Sequence, residues 1–365
     1  MNRVAIVHYW LINYRGGEKV VEALSKIYPD SDIFTHVYDA EKMPEQISRH
    51  QVQTTFIDRL PGGKQWYQSY LPLMPLALRQ LDLSPYDLII SSESGPAKGI
   101  RKPPHALHIC YCHTPMRYLW DMADYYFKEA AFIKKVGMKF FLPALRKWDL
   151  WSASQVDVFV ANSRFVAERI NRIYGREATV IYPPVNVDRF MRLEKKPQGY
   201  YLYFGQLTAY KRADLAVEAF NRSGRKLKIA GTGEERKKLE AMASGNIEFL
   251  GRVSDNELDE LYAGAEALVF PGIEDFGIVP VEAQAAGCPV IALAEGGALE
   301  TVIDRVTGIL FQNPEAESLN QAIDEFESST LSSQACKDNA LRFSEQRFLE
   351  EFSAFAQRQL IAHHS

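Results

Sequence analysis

The stretch from Ala267 to Glu300 constrains the fold more than any other part of the chain. Ala267-Leu268-Val269-Phe270 is an apolar run with the length and residue types of a buried strand. A loop with Pro271, Gly272 and Gly277 follows. Pro280 stands where a helix can begin, and Gly287 stops that helix after Val281, Glu282, Ala283 and Ala286. Pro289 to Leu293 then repeats the buried strand, and Gly296-Gly297 opens a second helix. Strand, glycine loop, helix, twice in succession, predicts an α/β layer with a parallel sheet. Each loop would face a helix N-terminus, where free backbone N–H groups and the helix dipole suit an anion.

Carboxylates frame these loops. Glu274 lies in the first loop, Glu282 follows on the helix after seven intervening residues, and Glu300 follows the double glycine. A carboxylate beside an anion site is not an anion ligand, but it can accept hydrogen bonds from two hydroxyls at once. Phosphate plus hydroxyls describes a nucleotide sugar. The other reading is that the three acids occupy helix N-terminal turns, where negative charge is favoured. Spacing alone leaves both open.

EDFGIVPVEA followed by GGALETV resembles the E-x7-E and G-G-x-x-E motifs of family 4 retaining glycosyltransferases. The resemblance implies a GT-B fold: two Rossmann-like, doubly wound domains facing a central cleft. It places Glu274 at the donor sugar, and the amides of Asp275, Phe276, Gly277 and Ile278 near the pyrophosphate. Glu282 would meet the ribose hydroxyls, and Gly296, Gly297 and Glu300 would line the donor-site turn. The implied domains are residues 1–192, acceptor-binding and rejoined by a C-terminal helix at 346–365, and residues 193–345, nucleotide-sugar-binding.

The chain as a whole agrees with such an architecture. Its 365 residues suffice for two domains, and 47% hydrophobic with 24% charged residues is a globular composition. Val4 to Trp10 reads as a short strand with no signal-peptide pattern, and no apolar run reaches the roughly 18 residues of a membrane span. A cytoplasmic protein is therefore expected. Cys110, Cys112, Cys288 and Cys336 lack metal-ligand spacing and read as reduced thiols. There is no D-x-D and no histidine cluster, so no metal and no other cofactor is expected. Residues 1–192 hold 25 Lys+Arg against 19 Asp+Glu, and the remainder 17 against 27. The basic half suits an anionic lipid surface.

In the first half, a β run at Arg3 to Tyr9 leads to a loop with Gly16-Gly17 and a helix from Glu18. There is no G-x-G-x-x-G, which counts against a dinucleotide-binding dehydrogenase. The pair Gly16 and Gly17 resembles the family's N-terminal glycine loop near the donor phosphates. Further strands are expected at Asp32–His36, Asp87–Ser91, Leu107–Tyr111 and Val156–Val160, and Ser163 is expected to cap a helix. The strand at Leu107 delivers His113-Thr114-Pro115, where the proline keeps Thr114 out of helical geometry. The run CHTPMRYLWD resembles bacterial mannosyltransferases of the family, which implies that His113 hydrogen-bonds the donor sugar. Two stretches, Thr54–Leu81 and Ala131–Trp151, mix basic, apolar and aromatic residues. Each reads either as core and ordinary surface helix or as a membrane-facing face.

In the second half, strands are expected at Tyr201–Gly205, Leu227–Ala230, Ile247–Leu250 and Gly308–Phe311. Lys211 and Arg212 follow the first of these, where cations could hold a pyrophosphate. Relatives carry Gly-Arg where this chain has Gly205-Gln206, so Arg212 is the candidate to replace that charge. The resemblance sets Gly231, Arg252 and Val253 around the base.

Together these readings predict a hexosyltransferase using GDP-mannose to extend a lipid-linked oligosaccharide in O-antigen, capsule or exopolysaccharide synthesis. It would touch the cytoplasmic face of the inner membrane and bind no nucleic acid. Lys211, Arg212 and the amides after Glu274 would stabilise charge growing on the β-phosphate. Rivals are a UDP-sugar-dependent transferase, a GT-B epimerase, a two-carboxylate glycoside hydrolase and a non-catalytic nucleotide-sugar binder.

Overall fold

A computed structural model of the chain describes residues 2–123, 127 and 132–364, without the side chains of residues 132–140. It comprises two compact units, Met1–Pro184 with Phe348–Ser365, and Val185–Arg347.

The first unit is built on a seven-stranded sheet in the order β3-β2-β1-β4-β5-β6-β7. Its strands are β1 Val4–His8, β2 Asp32–Thr35, β3 Val52–Thr54, β4 Leu88–Glu93, β5 Leu107–Cys112, β6 Val158–Ala161 and β7 Ala178–Val180. Every pairing is parallel. The period-two alternation of a strand sends neighbouring residues to opposite faces, and both faces here are covered. Val4 and Ile6 of β1 join Leu88 and Ile90 of β4 in one cluster, while Ala5, Val7 and Ile89 join another. That is why β1 and the first half of β4 carry consecutive apolar residues rather than alternating ones. The short β3 and β7 leave no apolar run in the sequence, since each has only three residues and none is fully buried.

The last helix, Glu345–His364, adds Phe348, Phe352 and Phe355 to the first cluster, against Tyr111. Of the basic segment Ala131–Trp151, residue 131 and the side chains of 132–140 lie outside the described residues. The rest belongs to the helix Phe132–Ser154, where the Arg146 guanidinium lies over Trp120. In the Thr54–Leu81 stretch Ile57, Met74, Ala77 and Leu78 are buried, and Trp66, Leu73 and Leu76 are exposed.

The second unit holds a six-stranded parallel sheet in the order β10-β9-β8-β11-β12-β13. Its strands are β8 Tyr200–Phe204, β9 Leu227–Ala230, β10 Ile247–Gly251, β11 Ala265–Phe270, β12 Val290–Leu293 and β13 Gly308–Phe311. Val185–Met191 belongs here, since Val185 N–H donates to Phe343 O and Lys337 Nζ donates to the carbonyls of Met191 and Leu193. All four cysteines are free and buried. Both units are thus doubly wound, as the strand–helix alternation predicts.

Two buried histidines give the first unit a pH signature. His36 is bonded to Thr55 Oγ1 and Pro96 O, and His108 to Ser91 Oγ. Burial pushes their pKa values down from an ordinary 6.5, to about 4 and about 3 respectively. Each therefore takes up a proton on unfolding anywhere between those values and 6.5. Stability is full above pH 6.5 and falls on acidification through that window, by about 1.4 kcal/mol per pH unit for each proton. Chemical denaturation at a series of pH values between 7.5 and 4.5 measures this. A flat profile contradicts it.

Candidate active site

In a doubly wound sheet, ligands collect beyond the C-terminal strand ends where the strand order reverses. In the second unit that point lies between β8 and β11. The loop after β8 carries Gly205, Gln206, Lys211 and Arg212, and the loop after β11 carries Gly272 to Gly277. Lys211 Nζ stands 2.8 Å from Glu274 Oε1, with both side chains about one-fifth exposed (17% and 19%). A cation and a carboxylate are thus held together at the mouth of the switch point.

Backbone packing forces this arrangement. A Cβ on Gly231, whose φ is +144°, would lie 1.8 Å from Gly205 O, so the loops after β9 and β8 meet only through glycine. Gly297 N–H donates to Glu274 O at 2.8 Å, and a Cβ on Gly296 would come within 2.6 Å of the same oxygen. The double glycine therefore buttresses the Glu274 loop from behind.

The helix after that loop is Ile278–Ala285, with Gly277 at its N-cap in the left-handed region. It has no acid in its first turn. Glu274 precedes it and Glu282 lies in its second turn, so helix-dipole compensation accounts for neither. Glu300 does lie in a first turn, that of Ala298–Thr301. That helix has only four residues, so the second helix-start anion site expected after Gly296-Gly297 is a single turn with little aligned dipole. Glu282 is buried beside Tyr262, whose phenol is held far above its ordinary pKa by burial and then by the Glu282 charge.

The remaining residues are less convergent. Arg212 sits in the left-handed region at the N-cap of Ala213–Ser223, and its Nε donates to Asp214 Oδ1 at 3.1 Å. Gln206 and Arg252 are exposed, and Val253 is half-buried. Asp275 is half-buried, Phe276 buried, and Ile278 half-buried at the helix start.

In the first unit the order reverses between β1 and β4, with β5 alongside. His113 follows β5, and its N–H donates to Glu93 O at 2.7 Å. Its Nε2 is 2.8 Å from Ser92 Oγ, and Ser92 Oγ is 3.0 Å from His8 Nδ1. Burial, then the neighbouring His8, lowers the His113 pKa to about 3, so the ring is neutral at physiological pH. Gly16 and Gly17 prove to be the first two residues of the helix Gly16–Ile27 rather than a preceding loop. A Cβ on Gly17 would lie 2.7 Å from Tyr9 Oη and 3.7 Å from His113 Nε2, so the helix start packs directly on this cluster.

The chain matches the family "Glycosyltransferase Family 4" over residues 14–189 and "Glycosyl transferases group 1" over residues 185–343. It is 26% identical to the alpha-1,3/1,6-mannosyltransferase ALG2 of Mus musculus over 354 residues, 83% of this chain and 81% of that one. It is 29% identical to the O-antigen chain mannosyltransferase RfbU of Salmonella typhimurium over 209 residues, 54% of this chain and 56% of that one. Among solved structures, Anabaena Alr3699/HepE in complex with UDP and glucose superposes with a TM-score of 0.69 at 16% identity. It covers 98% of this chain and 100% of that one, a likeness of fold. The chain is a GT-B glycosyltransferase.

This glycosyltransferase carries residues that its motifs did not announce. His8 and Ser92 join His113 from the ends of β1 and β4, and Glu18 approaches His8 from the first helical turn, with Oε1 3.9 Å from His8 Nε2. A histidine closing the first strand was the available signal. Behind the His113 turn lies a fully buried ion cluster. Lys98 Nζ donates to Glu93 Oε1 at 2.8 Å and to Asp149 Oδ1, while Trp120 Nε1 and Tyr174 Oη donate to Asp149 Oδ2. Among the described residues no group of three or more His, Cys, Asp and Glu could hold a metal ion, and no helix is long and apolar enough to cross a membrane.

Proposed function

We propose that this glycosyltransferase moves mannose from GDP-mannose, with retention, onto a sugar hydroxyl of a lipid-linked oligosaccharide in surface-polysaccharide synthesis. The observation that carries the reading is the Lys211–Glu274 pair at the switch point of the second unit. The unit Val185–Arg347 would hold the nucleotide diphosphate, with Lys211 and the amides of Asp275 to Ile278 on the pyrophosphate, and Glu282 on the ribose hydroxyls. Glu274 and His113 would meet the hexose. The bond between sugar C1 and the β-phosphate oxygen breaks, and the acceptor oxygen bonds C1 on the same face. The acceptor's proton passes to the leaving phosphate. Lys211 offsets the charge left there, an interaction stronger in the transition state than before it.

Mannose is supported by the names of two relatives that align with the chain, ALG2 and RfbU. Contact with a membrane surface is supported by the exposed Trp66, Leu73, Leu76 and Trp151 of the first unit, with exposed Arg79 over the Trp151 ring. Calorimetric titration with GDP-, UDP- and ADP-sugars, wild type beside Glu282→Ala, tests the donor. Selective GDP-mannose binding, weakened at least tenfold by the substitution, is the expected result. Preference for a UDP-sugar overturns the mannose assignment. Product anomer by NMR decides retention, and co-sedimentation with anionic vesicles, reduced by Trp66→Ala, checks the membrane contact.

A further inference from the structure

His113 is neutral, so one ring nitrogen carries hydrogen and the other a lone pair; which is which decides what the ring can offer a sugar hydroxyl. The surrounding groups settle that choice. Ser92 has one hydroxyl proton and lies between two imidazole nitrogens, 3.0 Å from His8 Nδ1 and 2.8 Å from His113 Nε2. It can donate to one and must accept from the other. His8 is 1% exposed, and its Nε2 has no hydrogen-bond partner. A buried orphan nitrogen needs a physical account, and Glu18 supplies one. Its carboxylate is 3% exposed, is fixed by the Arg15 N–H on Oε2 at 2.9 Å, and presents Oε1 3.9 Å from that nitrogen.

We propose that Glu18, His8 and Ser92 form a polar relay that fixes His113 as the Nε2–H tautomer and leaves its Nδ1 lone pair as the acceptor for a hydroxyl of the donor sugar. The direction follows step by step. The Glu18 charge favours hydrogen on His8 Nε2, which leaves His8 Nδ1 as an acceptor. Ser92 therefore donates to His8, and its oxygen accepts the Nε2–H of His113. His113 Nδ1, which makes no hydrogen bond among the described residues, is left with the lone pair. Reversal of the relay would turn Nδ1 into a donor and cost it a hydroxyl proton as partner. His8, Ser92 and Glu18 are thus positioning residues that act through His113. Gly17 belongs to the same device, because any Cβ there would meet Tyr9 Oη at 2.7 Å and His8 Cε1 at 3.4 Å.

The inference rests on the reading that His113 meets the donor sugar, and the test separates the two. Full-length protein labelled with 15N-histidine is examined by long-range proton–nitrogen correlation, with His113 assigned by its loss in His113→Gln. Wild type is expected to show a pyrrole-like Nε2 and a pyridine-like Nδ1 for His113. Ser92→Ala is expected to give mixed tautomers and about a fivefold lower kcat, the loss of one neutral hydrogen bond. Ser92→Thr restores both, and Glu18→Gln shifts the tautomer ratio without removing the hydroxyl. A pyridine-like Nε2 in wild type, or an unchanged tautomer in both Ser92→Ala and Glu18→Gln, overturns the relay. Full activity of His113→Gln with the tautomer pattern as expected sinks the donor-sugar reading and leaves the relay standing.

Discussion

Lys211→Met is expected to lower kcat by about 10²–10³ while leaving the thermal unfolding midpoint within a few degrees of wild type. Without donor, the ammonium is satisfied by Glu274 at 2.8 Å. On the proposed reading it exchanges that partner for the pyrophosphate as donor binds, which frees Glu274 to accept sugar hydroxyls. The charge at the β-phosphate is largest when the glycosidic bond is nearly broken, so removing the cation costs most in the transition state and appears in kcat more than in KM. Stability changes little because both side chains retain access to water and the pair is worth at most about 1 kcal/mol there. Lys211→Arg keeps the charge and should recover part of the rate. Steady-state kinetics at saturating donor provide the readout; a Lys211→Met enzyme within threefold of wild type would remove Lys211 from the chemistry.

Lys98→Met is expected to destabilise the first unit by about 3–5 kcal/mol at neutral pH, because it strands two buried carboxylates without their cation. Glu93, Lys98 and Asp149 are all fully buried. Burial already raises the Glu93 pKa despite the Lys98 charge, and Lys98 itself is held well above its ordinary value by the two acids. With the lysine gone, only protonation can relieve the carboxylates, so the folded variant binds protons that its unfolded chain releases. Its deficit therefore shrinks as pH falls toward the carboxylate range and grows as pH rises. The damage should reach the proposed His113 site, since Glu93 O anchors the His113 N–H and Asp149 holds Trp120. Urea titrations at pH 7.5 and 5.5, followed by tryptophan emission, test both points. A loss below about 1 kcal/mol, or a deficit independent of pH, would show that the cluster is not an obligate charge triad.

The carboxylates proposed for the donor site were legible because they belong to one short segment. Glu274, Glu282 and the double glycine fall within two consecutive strand-loop-helix units, and local spacing is all that such a motif needs. Glu274 and Glu282 are not helix-start acids, since neither lies in the first turn of the helix Ile278–Ala285. What the spacing could not show was how short the second helix is. Four residues of Ala298–Thr301 end at Val302, and the turn serves to brace the Glu274 loop through Gly297 N–H. The Arg212 guanidinium rests on Asp214, two residues along.

By itself the sequence determined most of the longer strands, the doubly wound class, and the glycine and carboxylate motif of the Glu274 loop, because these follow from contacts between near neighbours in the chain. Only tertiary structure decided which distant groups share a site. Lys211 meets Glu274 because β8 and β11 lie side by side where the strand order reverses. His8 and Ser92 are 84 residues apart and touch because β1 pairs with β4. His113 joins them because β5 pairs with β4 on its other edge. Parallel pairing through helical crossovers brings strand ends together regardless of the chain between them, so no pattern local to the sequence records such a meeting.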